Sequence, residues 1–127
     1  MRILGLVLVA LIAALHIYIA YFEIFEWETT GPQVFSSSPP ELFGQTASLA
    51  ANQGIYNAFL AAGLIWSLFI RDRKWQSNVA ICFLLFVAVA GVFGAFTVST
   101  TILFVQTVPS FVALVLLLLA RRSSNTQ

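Results

Sequence analysis

Residues 3–25 read ILGLVLVALIAALHIYIAYFEIF, an apolar run broken by one imidazole, His16, and one carboxylate, Glu23. About 20 apolar residues suffice to cross the ~30 Å hydrocarbon core of a bilayer. Three further runs of similar character follow at 47–70, 78–96 and 101–120. Lipid offers no partner to a backbone amide, so each run must satisfy its own hydrogen bonds as a helix. Only Val98-Ser99-Thr100 separates the last two runs, which requires them to return antiparallel. The expected fold is all-α: a four-helix transmembrane bundle, antiparallel and up-down, in one membrane domain spanning 1–127, with an outer loop at about 28–46.

Composition supports this reading. Of 127 residues, 60% are hydrophobic and 9% charged, against about 25% charged in an ordinary soluble domain. A soluble single-domain enzyme, a disordered tail and a nucleic-acid-binding module are excluded, because too few polar groups exist to cover a soluble surface. Net charge is +1, so no global field selects a partner. The lone Cys82 cannot close an internal disulfide.

The basic residues set the topology. Arg2 precedes the first run; Arg71, Arg73 and Lys74 lie between the second and third; Arg121 and Arg122 follow the fourth. All fall on one side, which the positive-inside rule makes cytoplasmic, with both termini there. Arg2 before an apolar run also fits a secretory signal, but the run continues to Phe25 with no convincing small-residue cleavage site. In the outer loop, Thr30-Gly31-Pro32 reads as a turn. Ser38-Pro39-Pro40-Glu41 reads as a capped helix start, leaving Leu42 and Phe43 along the membrane surface. The loop is either a linker or a lid.

Polar groups inside spans are costly and usually face a bundle interior or a wet cavity. At 100° per residue, His16, Ala20, Glu23 and Trp27 share a stripe, with Glu26 about 60° round from Glu23. His16 then lies about 10 Å deeper than Glu23. The second helix brings Asn52, Gln53, Tyr56 and Asn57 to the same outer stratum, with Asn52, Tyr56, Phe59 and Gly63 as its expected inward stripe. The fourth adds Gln106 and Thr107, followed by Pro109, which frees the Val105 carbonyl and kinks the helix. The expected site is a polar pocket walled by His16, Glu23, Asn52, Tyr56, Asn57 and Gln106, with Glu26, Trp27 and Gln53 at its margin. The competing reading makes these groups interhelical glue.

Ala90/Gly94 and Gly91/Ala95 form small-xxx-small pairs suited to close packing, inside the chain or in a homo-oligomer through Gly91 and Gly94. No metal-ligand set is present, and no cofactor is implied.

The segments His16-Ile17-Tyr18-Ile19-x-Tyr21-x-Glu23-x-Phe25-x-Trp27 and Ala51-Asn52-Gln53-Gly54-x-Tyr56-Asn57-x-Phe59-Leu60-Ala61-Ala62-Gly63-Leu64-x-Trp66 carry a resemblance. In them the chain resembles the small bacterial membrane proteins of the domain-of-unknown-function 1304 family. The resemblance implies a four-helix inner-membrane protein and no assigned activity. From the residues, three functions stay open. The first is binding of a small apolar or amphipathic ligand from the bilayer, with acid–base, isomerase-like chemistry by His16 and Glu23. The second is oligomeric, proton-coupled transport, and the third a structural role.

Overall fold

The computed structural model describes residues 1–124 and contains only helices among them. Helix α1 spans Arg2–Tyr21 and continues into a π-helical turn, Phe22–Glu26. A single helical turn, α2, covers Gly31–Val34. The long helix α3 runs Glu41–Phe69, and α4 runs Arg73–Thr97. A second π turn, Leu103–Thr107, leads into α5, Val108–Ser124.

Three helical stretches are long and apolar enough to cross a membrane: Arg2–Glu26, Arg73–Thr97 and Leu103–Ser123. They cover three of the four expected spans. The remaining one, 47–70, corresponds to α3 from residue 47 to its end at Phe69. At 29 residues α3 is long enough, but Asn52, Gln53 and Asn57 dilute the apolar character of its middle. The helix at α4 begins before the expected 78 because the Asp72 carboxylate accepts the Trp75 backbone N–H at 2.8 Å, an N-cap that holds Arg73 and Lys74 in the first turn.

The chain divides into two compact units, residues 14–61 and residues 1–13 with 62–127. In the second of these, α4 buries Gln76, Ser77, Ala80, Leu84, Val87 and Gly91, the spacing of one helical face. Helix α5 buries Ser110, Ala113, Leu114 and Leu117. Their other faces carry exposed aliphatic and aromatic side chains, up to 88% for Phe96, as lipid-facing surfaces do.

Pro109 explains the second π turn. It has no N–H for the Val105 carbonyl and its ring crowds that carbonyl. The chain responds with a wider turn in which the Val108 N–H reaches back five residues to Leu103 O. The Ser110 hydroxyl donates to the carbonyls of Gln106 and Thr107 at 2.8 and 2.9 Å. Gly91 and Gly94 are taken up inside the chain. A Cβ at Gly91 would meet the Thr107 backbone nitrogen at 3.0 Å, and one at Gly94 would meet Ile102 Cγ2 at 3.2 Å. The packing face of these glycines is therefore filled by the return of the chain itself.

In residues 14–61, the buried positions of α3 are Phe43, Ala50, Gly54 and Ala61, with Asn57 half-buried between the last two. This is the 3–4 spacing of a close-packed helix seam. It is not the expected Asn52–Tyr56 stripe, because small residues, rather than polar ones, mark where helix backbones approach closely. A Cβ at Gly54 would come within 2.6 Å of Ile24 Cγ1 and 3.0 Å of the Ala20 carbonyl oxygen. Gly54→Ala should therefore lower stability by about 1–3 kcal/mol through overpacking. Gly44→Ala is the control: its added Cβ meets only Glu28 Oε2, at 3.7 Å, and it should hold or raise the unfolding temperature in detergent.

Candidate functional site

The close approach at Gly54 sets the site in residues 14–61. One turn further along α3, the Asn57 amide nitrogen donates to Glu23 Oε2 at 2.7 Å while also reaching the Gln53 carbonyl at 3.3 Å. Glu23 sits in the π turn, half-buried, with its Cβ 3.2 Å from where a Gly54 Cβ would be. His16 is fully buried two turns earlier on α1, and Ala20 between them is buried as well. Residues 14–61 hold four carboxylates (Glu23, Glu26, Glu28 and Glu41) and no lysine or arginine. The partner of Glu23 seen here is thus a neutral amide rather than a cation.

Glu26 is organised differently. Its Oε1 accepts from the Tyr21 hydroxyl at 3.2 Å; its Oε2 accepts from Thr29 and Thr30 at 2.9 and 2.7 Å. An α-helix would put residues 21 and 26 about 140° apart; the wider π turn brings them round. Three hydroxyls saturate this carboxylate, which pins the turn after α1.

Trp27 enters an aromatic cluster, 5.3 Å from Phe43, 5.9 Å from Phe35 and 5.9 Å from Phe22 between ring centroids. Its indole N–H donates to Thr46 Oγ1 at 2.9 Å. Phe43 is 2% exposed, so it is the core of this cluster and not a residue lying along the membrane surface as expected. Gly31 opens α2 against its ring, where a Cβ would come within 2.6 Å of Phe43 Cδ1; the expected turn is a helical turn that leaves space for that ring.

The remaining expected residues lie elsewhere. Asn52, Gln53 and Tyr56 are exposed, Tyr56 at 55%, so the fold brings Asn57, and not these three, to Glu23. Gln106 lies in the second π turn, in the other compact unit. An open apolar groove of about 400 Å³, lined by Val89, Val92, Phe93, Phe96 and Phe111 among others, also lies in that unit. Among the described residues no three His, Cys, Asp or Glu side chains are grouped to hold a metal ion. Sequence reasoning missed the two π turns and the Gly54 seam. Pro109 signals the second π turn; the small residues at 50, 54 and 61 signal the seam.

Apolar helices of spanning length, with a carboxylate held among them by an amide, define a helical membrane protein. The chain belongs to the family described as "Protein of unknown function (DUF1304)", which it matches over residues 10–118. It is also 31% identical over 108 residues to "Uncharacterized protein YpaA" of Lactococcus lactis subsp. lactis (strain IL1403), covering 84% of this chain and 89% of that one. No solved structure matches.

The Glu23–Asn57 contact makes a thermodynamic prediction. Asn57→Leu should cost about 1–3 kcal/mol, because it leaves a half-buried carboxyl without its donor. The Glu23→Leu/Asn57→Leu double variant should cost less than the sum of the single ones, a coupling read from unfolding in detergent.

Proposed function

We propose that this chain is a four-helix, antiparallel protein of the bacterial inner (plasma) membrane, with both termini cytoplasmic, that binds a small amphipathic or lipidic ligand in its outer half and transfers a proton on it. The reading rests on one observation: Glu23 lies within an apolar span and is met by Asn57 in a segment with no lysine or arginine. Ionisable residues at such depth usually serve function, since they are costly to keep. A carboxyl paired with an amide keeps its proton chemistry available, whereas an ion pair would consume it. In this mechanism Glu23 donates the proton or stabilises a developing cation, Asn57 orients the carboxyl, and His16 is its proton partner deeper in α1. Protonation and deprotonation of an apolar substrate, as in an isomerisation, require no cofactor. Asn52, Gln53 and Tyr56 on the adjoining face of α3 would meet the polar head of the ligand.

In this reading α3 is the fourth span. Its 29 residues reach about 43 Å at 1.5 Å each, more than the ~30 Å required. The orientation is supported by the basic residues at one set of helix ends. The organism of the relative supports a bacterial membrane.

Two measurements test the proposal. Mass spectrometry of molecules co-purifying with the wild-type protein should show a species lost in Glu23→Gln, with unfolding temperature unchanged because glutamine still accepts from Asn57. Identical extracts from folded wild type and variant would overturn the ligand role. In a Cys82→Ser background, an impermeant maleimide added to intact cells should label Ser37→Cys and not Ser123→Cys. The reverse pattern would overturn the orientation.

A further inference from the structure

The six basic side chains of the molecule all belong to the unit formed by residues 1–13 and 62–127, which contains one carboxylate, Asp72. Asp72 is turned into the helix start, accepting the Trp75 backbone N–H, so its charge is directed at the α4 first turn. Two of the arginines are fixed by neutral groups on that same stretch of α4. Arg2 donates to Gln76 Oε1, and Arg121 donates to Asn78 Oδ1 at 2.7 Å.

Gln76 is buried and donates through Nε2 to the carbonyls of Leu68 and Ile70, at 3.3 and 3.2 Å. One glutamine thus staples the start of α1 to the turn between α3 and α4. Asn78 ties the end of α5 to the beginning of α4. An amide oxygen holds a guanidinium in place without cancelling its charge, unlike a carboxylate. Arg73 and Lys74 stand exposed on the first turn of α4, within five residues of Gln76 and Asn78 on the same helix, where the helix dipole adds positive potential. Trp75, 62% exposed, is the amphipathic ring that belongs at headgroup level.

We infer that this end of the molecule is a built site for the phosphate headgroup of an anionic phospholipid, gripped by Arg73 and Lys74 with Arg2 and Arg121 held beside them. The chemistry is phosphodiester recognition by preplaced cations. It does not depend on the role of Glu23.

The test uses the full-length protein in zwitterionic micelles, with lipid adducts counted by native mass spectrometry during titration with phosphatidylglycerol or phosphatidylcholine. Phosphatidylglycerol should bind more tightly, and Arg73→Gln/Lys74→Gln should weaken it about thirtyfold, at roughly fivefold per cation. Asn78→Ala removes no charge but releases Arg121, and should weaken phosphatidylglycerol severalfold while leaving phosphatidylcholine unchanged. Asn78→Asp, which keeps the contact and neutralises Arg121, should weaken it too, so a folding defect in the alanine variant leaves the test standing. Equal affinity for the two lipids, or wild-type affinity in the Arg73/Lys74 variant or in both folded Asn78 variants, would overturn the site. Displacement of the lipid by millimolar inorganic phosphate would assign the site to a free anion and overturn the lipid proposal.

Discussion

The absence of a side chain at Gly54 lets α3 approach the Ala20 carbonyl and the base of Glu23 closely, and residues 14–61 are organised around that approach. The hydrogen bond from Asn57 to Glu23 exists only because Gly54, three residues earlier, lets α3 come that near. Without it the Glu23 carboxyl would have lost its donor, at a cost of about 1–3 kcal/mol. Packing and chemistry are therefore one feature: the seam of small residues creates the distance at which an amide can hold an acid.

The helices were legible because hydrocarbon thickness and backbone satisfaction leave few choices, and the runs at 3–25, 78–96 and 101–120 correspond to helices of spanning length. Helix α3 was legible as a helix, but Asn52, Gln53 and Asn57 leave its middle less apolar than a membrane core demands. Within the candidate site, Glu23 and Asn57 could be nominated from depth alone, and they do meet. Which face of α3 turns inward could not be read from polarity. Side-chain size marks it instead: Tyr56 and Phe59 are exposed, whereas Ala50, Gly54 and Ala61 are buried. Angles beyond Tyr21 were misjudged for a second reason: 100° per residue fails across a π turn, and no proline at Phe22–Glu26 announces one.

Four charged side chains are held by neutral partners. Glu26 takes three hydroxyls, Glu23 an amide, and Arg2 and Arg121 one amide oxygen each. Ion pairs would fix geometry equally well, but each would extinguish the field of both members. Amide and hydroxyl partners fix the position of a charge and leave its field intact, so acidity gathers in residues 14–61 and basicity in the other unit.

The π turn at Phe22–Glu26 has a consequence for how this chain can change over time. A widened turn absorbs one extra residue without breaking the helix, so it acts as a phase shifter between α1 and the segment that leads to α2. Ala20 and the packing before it keep their angular register whatever happens beyond Glu26. The segment carrying Trp27, Gly31 and Phe35 can be rotated as a block by insertion or deletion of a single residue in the turn. Substitutions alter one contact at a time; a length change here would re-aim a whole aromatic cluster in one step.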